Sequence, residues 1–434
     1  MQVLLYAPAN SPRLQYICRF IFEELLKVEF SFTSDIQIFS GYSGVKIKYT
    51  NTQNINGEFT IGDCGLLFES DIKEQNTTCI EVNNYKAFFK TPNADFPFDI
   101  FAASFYLLSR YEEYLPHQKD IYGRYAHENA LAFKENFLKL PLVNIWAKDF
   151  AIQLQHRFPA LRFQPSAFSF LPTYDIDMAF SYKYKGLVRN AGSFIKSPSL
   201  ERIKVLAGIE QDPFDCFAWL NQLHDDYQLQ PVYFFLMAEE NGMYDKNILP
   251  HKKQMRKLIR EHAQKYTVGI HPSWQSGEHH NLLPQEKKLL ETISQKPIIH
   301  SRQHYIRLEL PADYQLLIKH GITADYSMGY GSINGFRASV ATSFNWFDLQ
   351  KNEATQLRIY PFCFMEANSF YEQRISACEA YDELIHYYTV CKAVEGQLIT
   401  IWHNNFLGTD PQFEEWRTIY QRFIAQVRQQ EKAL

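Results

Sequence analysis

Several features that would place this chain in a particular class of protein are missing from its sequence. It has no Cys-x-x-Cys pair, and its seven cysteines are odd in number and widely scattered. This spacing excludes a cysteine zinc cluster and does not suit a disulfide framework, so we expect reduced thiols in a cytoplasmic protein. The chain has no long run of Lys and Arg, and its formal charge is −4. Without a basic field, nucleic acid is not an expected partner.

Long apolar runs are also missing. The first ten residues contain no basic segment followed by an apolar stretch, and charges interrupt every later apolar run well before membrane-spanning length. We therefore expect neither a signal peptide nor a membrane span. The sequence contains no repeat of solenoid or propeller period, and it leaves the oligomeric state open.

What the sequence does have is length and aromatic residues. Its 434 residues exceed what one hydrophobic core usually organises, which favours two domains or a large barrel with an added module. Aromatic residues make up 16% of the chain. Such numbers are typical of carbohydrate-binding clefts and also of thick cores, so composition alone names no ligand.

Residues 1–162 predict a smaller α+β domain of unknown function. Helical patterns and short β-type runs alternate here, with helices at 13–26, 99–114 and 141–158 and strands at 30–32, 45–49 and 66–68. The region shows no recognisable catalytic spacing. We therefore expect a chain that begins near Leu161 to keep the complete metal site, and the N-terminal module to matter for stability or substrate choice.

Residues 163–434 predict an α/β domain, because after Pro165 apolar strands alternate with amphipathic helices. The predicted strands are 168–174, 232–237, 266–271, 321–326, 357–362 and 398–403. The predicted helices are 213–226, 252–264, 284–293, 313–319, 372–390 and 411–428. Such alternation implies a parallel sheet, open or closed into a barrel, with its chemistry at the carboxyl ends of the strands.

Ionisable residues lie at the ends of four of these strands, namely Asp175 with Asp177, then His271, Asp325 and His403. Each alone could be a helix cap or a structural side chain, but their convergence on one sheet edge indicates a site. Two carboxylates as close as Asp175 and Asp177 cannot both stay ionised in a buried place without a cation or strong donors. A divalent metal satisfies this need, although Asp-x-Asp also occurs in glycosyltransferases and phosphatases.

Two histidines are candidate metal ligands. His271 ends an apolar strand, and the Pro272 behind it fixes the turn that aims the imidazole. His304 lies between Arg302 and Arg307, and we expect these cations to favour its neutral, metal-binding form. Together with Asp177 they would make an N/O site of the kind that zinc occupies.

Four segments resemble the motifs of the polysaccharide deacetylases, carbohydrate esterase family 4. Residues 173–177 resemble the first motif, residues 269–273 the start of the second, Arg302 the arginine of the third, and residues 398–403 the final Leu-x-His motif. The resemblance covers roughly residues 168–407. A run at 98–114 is also similar to the N-terminal module of a divergent subgroup found in Bacteroidetes-type bacteria.

The resemblance implies a distorted, incomplete (β/α) barrel that uses one divalent metal, with zinc expected. It implies Asp175 as general base, Asp177 and His271 as metal ligands, and His403 as general acid. It also implies that Arg302 keeps Asp175 ionised and, less closely, that Asp325 orients His403. Arg337, in the deacetylase-like segment 335–338, is a rival for the role of Arg302.

One departure from the family pattern concerns the third metal ligand. The second motif normally supplies another histidine three or four residues after the first, and this chain has Trp274 and Gln275 there. His304 is the favoured replacement, because its segment also carries the expected arginine. The other possibilities are Ser276, His279 or His280, or a site that holds no metal.

The function expected from these residues is hydrolysis of the acetyl amide of an N-acetylated sugar or a sugar-containing envelope precursor. The partner would then be a small-molecule or glycan substrate. Hydrolysis of a non-sugar amide on the same fold is a second hypothesis. A third is an inactive descendant that binds a glycan or a protein, since fold does not guarantee function.

Overall fold

The structure is a computed structural model, and it describes residues 2–51, 58–164, 166–185 and 199–432. Pro165, where the sequence pattern changes, lies outside the described residues. The described chain contains a four-stranded sheet, a nine-stranded sheet and a two-stranded ribbon. None of the helices in these ranges is both long enough and apolar enough to cross a membrane.

The four-stranded sheet belongs to the N-terminal region and is parallel throughout. Its strands are β1 (Val3–Tyr6), β2 (Phe30–Thr33), β3 (Val45–Tyr49) and β4 (Phe59–Ile61), in the order β2-β1-β3-β4. The helix α1 (Pro12–Cys18) continues as a π-helix (Arg19–Leu25) between β1 and β2, and α2 (Ile36–Gly41) lies between β2 and β3. The prediction of an α+β arrangement is therefore wrong for this sheet, since parallel neighbours need such crossovers.

The rest of the described N-terminal region contains helices, loops and the antiparallel ribbon of β5 (Ile80–Val82) and β6 (Tyr85–Ala87). Its helices are α3 (Ile100–Leu108), α4 (Leu131–Lys134) and α5 (Leu142–Arg157). Asp99 caps α3 by accepting from the Ala102 amide, and the helix stops before Arg110, whose φ is 54°. The strand predicted at 66–68 is wrong. That segment is the 3-10 helix Leu66–Phe68, which begins at Gly65 with a φ of 92°.

The nine-stranded sheet forms the C-terminal region. Its strands are β7 (Ser169–Ile176), β8 (Val232–Leu236), β9 (Thr267–His271), β10 (His300–Ser301), β11 (Ala324–Asp325), β12 (Phe344–Asp348), β13 (Glu353–Ile359), β14 (Phe364–Met365) and β15 (Gln397–His403). Their order is β12-β13-β11-β10-β9-β8-β7-β15-β14, and every pairing is parallel except β12 with β13. Across the described ranges β12 and β14 remain outer strands, so closure of the predicted barrel is not seen.

All six predicted C-terminal strands are present with shifted ends, and three further strands were not predicted. One of these, β10, has only two residues, yet it pairs with both β9 and β11. The helices that cover the sheet are α6 (Leu200–Leu206), α7 (Phe217–Tyr227), α8 (Lys253–Lys265), α9 (Leu282–Ser294), α10 (Ala312–Lys319), α11 (Ala377–Ala393) and α12 (Glu414–Lys432). The parallel pairing brings the carboxyl ends of β7, β9, β10, β11 and β15 to one edge of the sheet.

The N- and C-terminal regions share one hydrophobic core, which runs from Val3 to Val427. Polar contacts also cross the proposed boundary at residue 162. Arg337 donates to both carboxylate oxygens of Glu113 at 2.8 and 2.6 Å. Arg110 bonds Glu113 at 2.7 Å and Glu112 at 2.8 Å. We call these four side chains the junction cluster.

Candidate metal centre

Asp177, His271 and His304 come together at the carboxyl edge of the large sheet. Nε2 of His271 lies 3.2 Å from Oδ1 of Asp177, and Nε2 of His304 lies 3.4 Å from Oδ2. One candidate ligand atom from each residue lies within 4.8 Å of the other two. Both histidines are buried, while a quarter of the Asp177 side chain (26%) is exposed. We call these three residues the metal centre.

The ring of His271 is oriented by the backbone. Its Nδ1 lies 2.6 Å from the carbonyl oxygen of Arg302. Because a carbonyl can only accept, Nδ1 carries the hydrogen, and in the neutral ring Nε2 presents its lone pair towards Asp177. Oδ1 of Asp177 is itself buried and accepts no hydrogen bond from the described residues. Two electron-rich atoms that face each other across 3.2 Å fit a cation between or beside them.

His304 is oriented by a carboxylate that sequence reasoning missed. Its Nδ1 lies 3.1 Å from Oδ1 of Asp245, and the same oxygen accepts from the Trp274 amide at 2.9 Å. This is the histidine–carboxylate arrangement that commonly supports metal ligands. Asp245 lies in the loop that follows β8 without any distinguishing spacing, so no sequence pattern marks it.

The charges of the metal centre favour the protonated form of His304 and the ionised form of Asp177. Burial opposes the charged form of His304, but Asp177 and Asp245 outweigh burial and raise the pKa of His304 to about 9. Burial likewise opposes ionisation of Asp177, yet His304 and His271 hold its pKa well below the usual range. The expectation that neighbouring arginines keep His304 neutral is therefore wrong. Arg302 faces Asp175 and Arg307 stacks over the Trp274 ring, so the carboxylates dominate.

Asp175 lies on β7 beside the metal centre, and Arg302 holds it. Nη1 of Arg302 donates to Oδ1 of Asp175 at 2.8 Å, and both side chains are buried. The other oxygen, Oδ2, lies 3.8 Å from Nε2 of His271. Arg337, the rival for this role, is bound instead to Glu113 in the junction cluster. The structure therefore places Arg302, and not Arg337, against Asp175.

His403 ends β15, a direct neighbour of β7, where it is the register partner of Asp175. Its Nε2 lies 3.5 Å from Oδ2 of Asp177, and its Nδ1 lies 2.7 Å from Oε1 of Glu366. Burial opposes a charge on His403, but Glu366 and then Asp177 raise its pKa to about 10. Glu366 was missed by sequence reasoning because it follows the two-residue strand β14, which is too short to give a periodic signal.

The prediction that Asp325 orients His403 is wrong. Asp325 is fully buried at the end of β11, where it accepts from the Tyr314 hydroxyl at 3.0 Å. It also accepts from the amide and the hydroxyl of Ser327 at 2.8 and 2.9 Å. Burial raises the pKa of Asp325 to about 6. These bonds tie the turn after β11 to α10, which makes Asp325 a structural residue beside the site.

The other candidates for a third ligand do not reach the metal centre. Ser276 donates its hydroxyl to the Ser273 carbonyl at 2.7 Å within its own turn. His279 and His280 are exposed in the segment before α9. Among the candidates named from the sequence, His304 is therefore the one that joins Asp177 and His271.

A cavity of about 420 Å³ opens over the metal centre. Half-buried aromatic side chains form one of its walls, and Lys246 and Glu372 add charge at the rim. Tyr122 and Arg124 of the N-terminal region also line it, together with Tyr305 from the segment after His304. The N-terminal region therefore contributes to the lining of the cavity, whereas all three residues of the metal centre lie after residue 162.

Comparison with known proteins adds a family match in the N-terminal region and distant structural matches. The family model that matches is a family of unknown function, DUF7033, over residues 3–159. That match ends before Asp175 and so includes none of the residues of the metal centre. No curated protein matches the chain significantly.

Two of the solved structures that match are described as polysaccharide deacetylases. One is from Mycobacterium smegmatis, with 12% identity, a TM-score of 0.40 and coverage of 61% of this chain and 85% of that one. Another is from Bacillus cereus, with 11% identity, a TM-score of 0.32 and coverage of 62% and 89%. At such scores these matches carry no argument about function, which must come from the site itself.

Proposed function

We propose that this chain is a metal-dependent hydrolase that removes the acetyl group from the nitrogen of an N-acetylated sugar. The observation that carries the proposal is the grouping at one sheet edge. A histidine–aspartate set able to hold a cation lies between an arginine-bound carboxylate, Asp175, and a glutamate-bound imidazole, His403. Amide hydrolysis needs a base for water and an acid for the leaving nitrogen, and this arrangement supplies both.

Asp177, His271 and His304 would hold one divalent metal, with zinc expected for two nitrogens and one carboxylate. A metal bound there would polarise the acetyl carbonyl and lower the pKa of a water molecule. Both imidazoles have Nδ1 fixed by an acceptor, which leaves Nε2 for the ion. The buried, unpartnered Oδ1 of Asp177 is the further observation that fits this role.

Asp175 would take the proton from the attacking water. Its Oδ1 accepts a hydrogen bond from Nη1 of Arg302 at 2.8 Å, which fixes the orientation of the side chain. Its Oδ2 lies towards the metal centre, 3.8 Å from Nε2 of His271. Arg302 would therefore position Asp175 for this step.

His403 would protonate the leaving nitrogen. Its raised pKa, about 10, keeps the imidazole protonated at neutral pH. Glu366 accepts from Nδ1, which leaves the Nε2 hydrogen aimed at the cavity side of Asp177. The acid and the base thus stand on neighbouring strands, with the metal centre within reach of both.

The aromatic wall of the cavity supports a sugar as substrate. Tyr122, Tyr244 and Tyr305 line the cavity, and the rings of Tyr122 and Tyr305 pack together with centroids 5.4 Å apart. Aromatic faces with polar edges suit the apolar faces and hydroxyl groups of a pyranose ring. The volume of about 420 Å³ lies in the range of small-molecule sites, which suits a sugar.

The test begins with metal content and acetate release. The purified chain should contain about one metal ion per molecule by mass spectrometry. It should release acetate from N-acetylated oligosaccharides, lose this activity on chelation and regain it with Zn²⁺. His304→Ala should lose the metal, while His280→Ala, an exposed histidine close by in the sequence, serves as the matched control and should keep it.

A panel of substrates separates the competing functions. N-acetylated sugars, O-acetylated sugars and a non-sugar acetamide should be compared at equal concentration, with the N-acetylated sugars fastest. Release of acetate from the non-sugar amide alone would replace the sugar proposal. A chain that binds metal and glycan but releases no acetate from any member would contradict the proposal and favour a binding function.

A further inference from the structure

The segment that carries His304 has an unusual backbone. Tyr305 and Ile306, directly after His304, have φ values of 58° and 54°. The left-handed region is unfavourable for side chains with a Cβ, and a β-branched residue such as Ile306 is rarely found there. Two consecutive residues of this kind persist only where the surroundings hold them. The turn that presents His304 therefore depends on contacts from outside its own segment.

Arg124, from the N-terminal region, supplies such a contact. Its Nη1 donates to the Tyr305 carbonyl oxygen at 2.9 Å, and its side chain is buried. This bond fixes the peptide between Tyr305 and Ile306 in the orientation that the left-handed pair requires. The Tyr305 ring lies against the His304 imidazole with centroids 4.7 Å apart. Movement of this peptide would therefore displace the His304 side chain.

Arg124 is itself held in place by its own loop. Asp120 accepts from Nε at 2.6 Å and from the Arg124 amide at 2.9 Å. The guanidinium lies over the Tyr122 ring at 4.7 Å, and Nη2 lies 4.0 Å from Glu372. The side chain therefore reaches Tyr305 as a pre-oriented donor and not as a flexible surface cation.

Gly331 leaves room for this contact. A Cβ at position 331 would lie 2.0 Å from Nη1 of Arg124 and 2.8 Å from the Tyr305 carbonyl oxygen. Any other residue there would push the donor and the acceptor apart. Three separate parts of the chain, at Arg124, Tyr305 and Gly331, are thus fitted to one hydrogen bond.

We propose that Arg124 is a positioning residue of the metal centre, through which the N-terminal region becomes part of the site. Arg124 holds the Tyr305 turn, and the turn presents His304 to Asp177. This inference rests on the proposed function in one respect, that His304 is a metal ligand. It assigns a role to the N-terminal region, which matches a family of unknown function.

The test is a titration of the full-length, metal-free chain with Co²⁺, followed by visible absorption, and with Zn²⁺ in competition. Arg124→Ala should bind both ions about 10- to 100-fold more weakly, the usual cost of losing a residue that supports a ligand. Its Co²⁺ bands should also change in position or intensity, because His304 is displaced. Arg124→Lys, which can still donate to the Tyr305 carbonyl, should recover most of the affinity.

The matched control is Lys119→Ala. Lys119 lies in the same loop and also reaches the segment after His304, where it pairs with Glu309 at 2.9 Å, but this pair is exposed. Its removal should leave the Co²⁺ affinity and spectrum unchanged. Gly331→Ala, which crowds the hydrogen bond without removing the cation, should weaken binding as Arg124→Ala does, and it decides the matter if Arg124→Ala fails to fold.

The outcomes separate this inference from the proposed function. If the wild-type chain binds Co²⁺ but Arg124→Ala and Gly331→Ala bind it with equal affinity and an unchanged spectrum, the positioning role is refuted and the metal centre stands. If the wild-type chain binds no Co²⁺, the metal centre itself fails, and this inference fails with it. Weakened binding by Lys119→Ala to the same extent would also refute it, since the loop as a whole would then be responsible.

Discussion

The junction cluster and the metal centre are both buried groups of charged side chains, but their hydrogen bonding differs. In the junction cluster two arginines face two glutamates, and no side-chain atom of the four is buried without a partner. Around the metal centre the carboxylates Asp175, Asp177, Asp245 and Glu366 contact three histidines and one arginine. Oδ1 of Asp177, Nη2 of Arg302 and Oε2 of Glu366 are buried there without a hydrogen-bond partner among the described residues.

This difference separates a structural ion cluster from a site. Matched charges with every donor and acceptor used hold two parts of a chain together and leave nothing for a ligand. A cluster with more carboxylate than fixed cation, and with unpaired buried atoms, is incomplete until a cation or a substrate joins it. Variants of the two clusters should therefore behave in opposite ways.

The largest effect is expected for Asp177→Ala. The variant should lose both its metal and its turnover, because Asp177 contacts His271, His304 and His403 and is the carboxylate among the proposed ligands. The metal-free protein should remain folded, since the core does not depend on this partly exposed side chain. Metal stoichiometry, acetate release and thermal unfolding measure these three quantities. A variant that keeps about one metal per chain would show that the ligands are elsewhere.

Asp175→Ala and His403→Ala should keep the metal but lose turnover. A general acid or base typically contributes ~10²–10⁴ in rate, and the loss for each variant should lie in that range. The measurement is kcat on the best N-acetylated substrate, alongside metal content. Loss of metal from His403→Ala would instead identify His403 as a ligand. This outcome is worth testing because Nε2 of His403 lies 3.5 Å from Oδ2 of Asp177.

Glu113→Ala should show the reverse pattern, with lower stability and unchanged metal binding. Removing one partner of a buried ion cluster typically costs about 3–5 kcal/mol, because the remaining charges are left uncompensated. Two arginines would lose their shared carboxylate here. Denaturant unfolding of the metal-free chain measures the loss, and Co²⁺ titration of the folded variant measures the site. Weaker metal binding in a fully folded variant would mean that the two clusters are coupled.

The stability that the junction cluster contributes should also depend on pH. Burial opposes ionisation of Glu113, but Arg337 and Arg110 lower its pKa to about 2 from 4.5. A depressed pKa contributes stability that is present above the unfolded value and is lost as the pH falls from about 4.5 towards 2. The difference in unfolding free energy between wild type and Glu113→Gln should therefore shrink over this range. A difference independent of pH would show that the charge of Glu113 is not what stabilises the junction.

The smallest effect is stabilisation by the metal. At a free Zn²⁺ concentration about 100 times Kd, a site present only in the folded chain stabilises it by ~2.7 kcal/mol. Wild type and Glu113→Ala should both show the corresponding rise in melting temperature, whereas Asp177→Ala should show none. An equal rise in all three would indicate that Zn²⁺ binds outside the metal centre.

Much of the site could be predicted because its residues lie at the ends of regular, apolar strands. Asp175, His271 and His403 each belong to a strand of five or more residues, and parallel pairing brings the carboxyl ends of such strands to one edge. Their orienting partners could not be predicted in the same way. Asp245 lies in a loop and Glu366 follows a two-residue strand, so neither is marked by periodicity.

The fold of the N-terminal region shows where local patterns are insufficient. Strands at 30–32 and 45–49 were predicted from apolar runs, but such a run shows neither that the strands pair in parallel nor their order in the sheet. The apolar segment 66–68 was mistaken for a strand, because three residues cannot distinguish a strand from a helical turn. Arg124 was missed for a different reason, since its function depends on a carbonyl group 181 residues away in the sequence.

The two-residue strand β10 limits which insertions and deletions this part of the chain can tolerate. His300 and Ser301 pair with Ala324 and Asp325, and the Arg302 amide bonds the Ile270 carbonyl at 3.0 Å. This short segment therefore helps to set the register of residues 302–304. Successive side chains of a strand point to opposite faces, so a deletion of one residue here would turn Arg302 away from Asp175 and shift His304 with it. Insertions and deletions that are harmless in the surface loop before residue 298 should therefore become inactivating between residues 300 and 304, even though no residue type in the site would have changed.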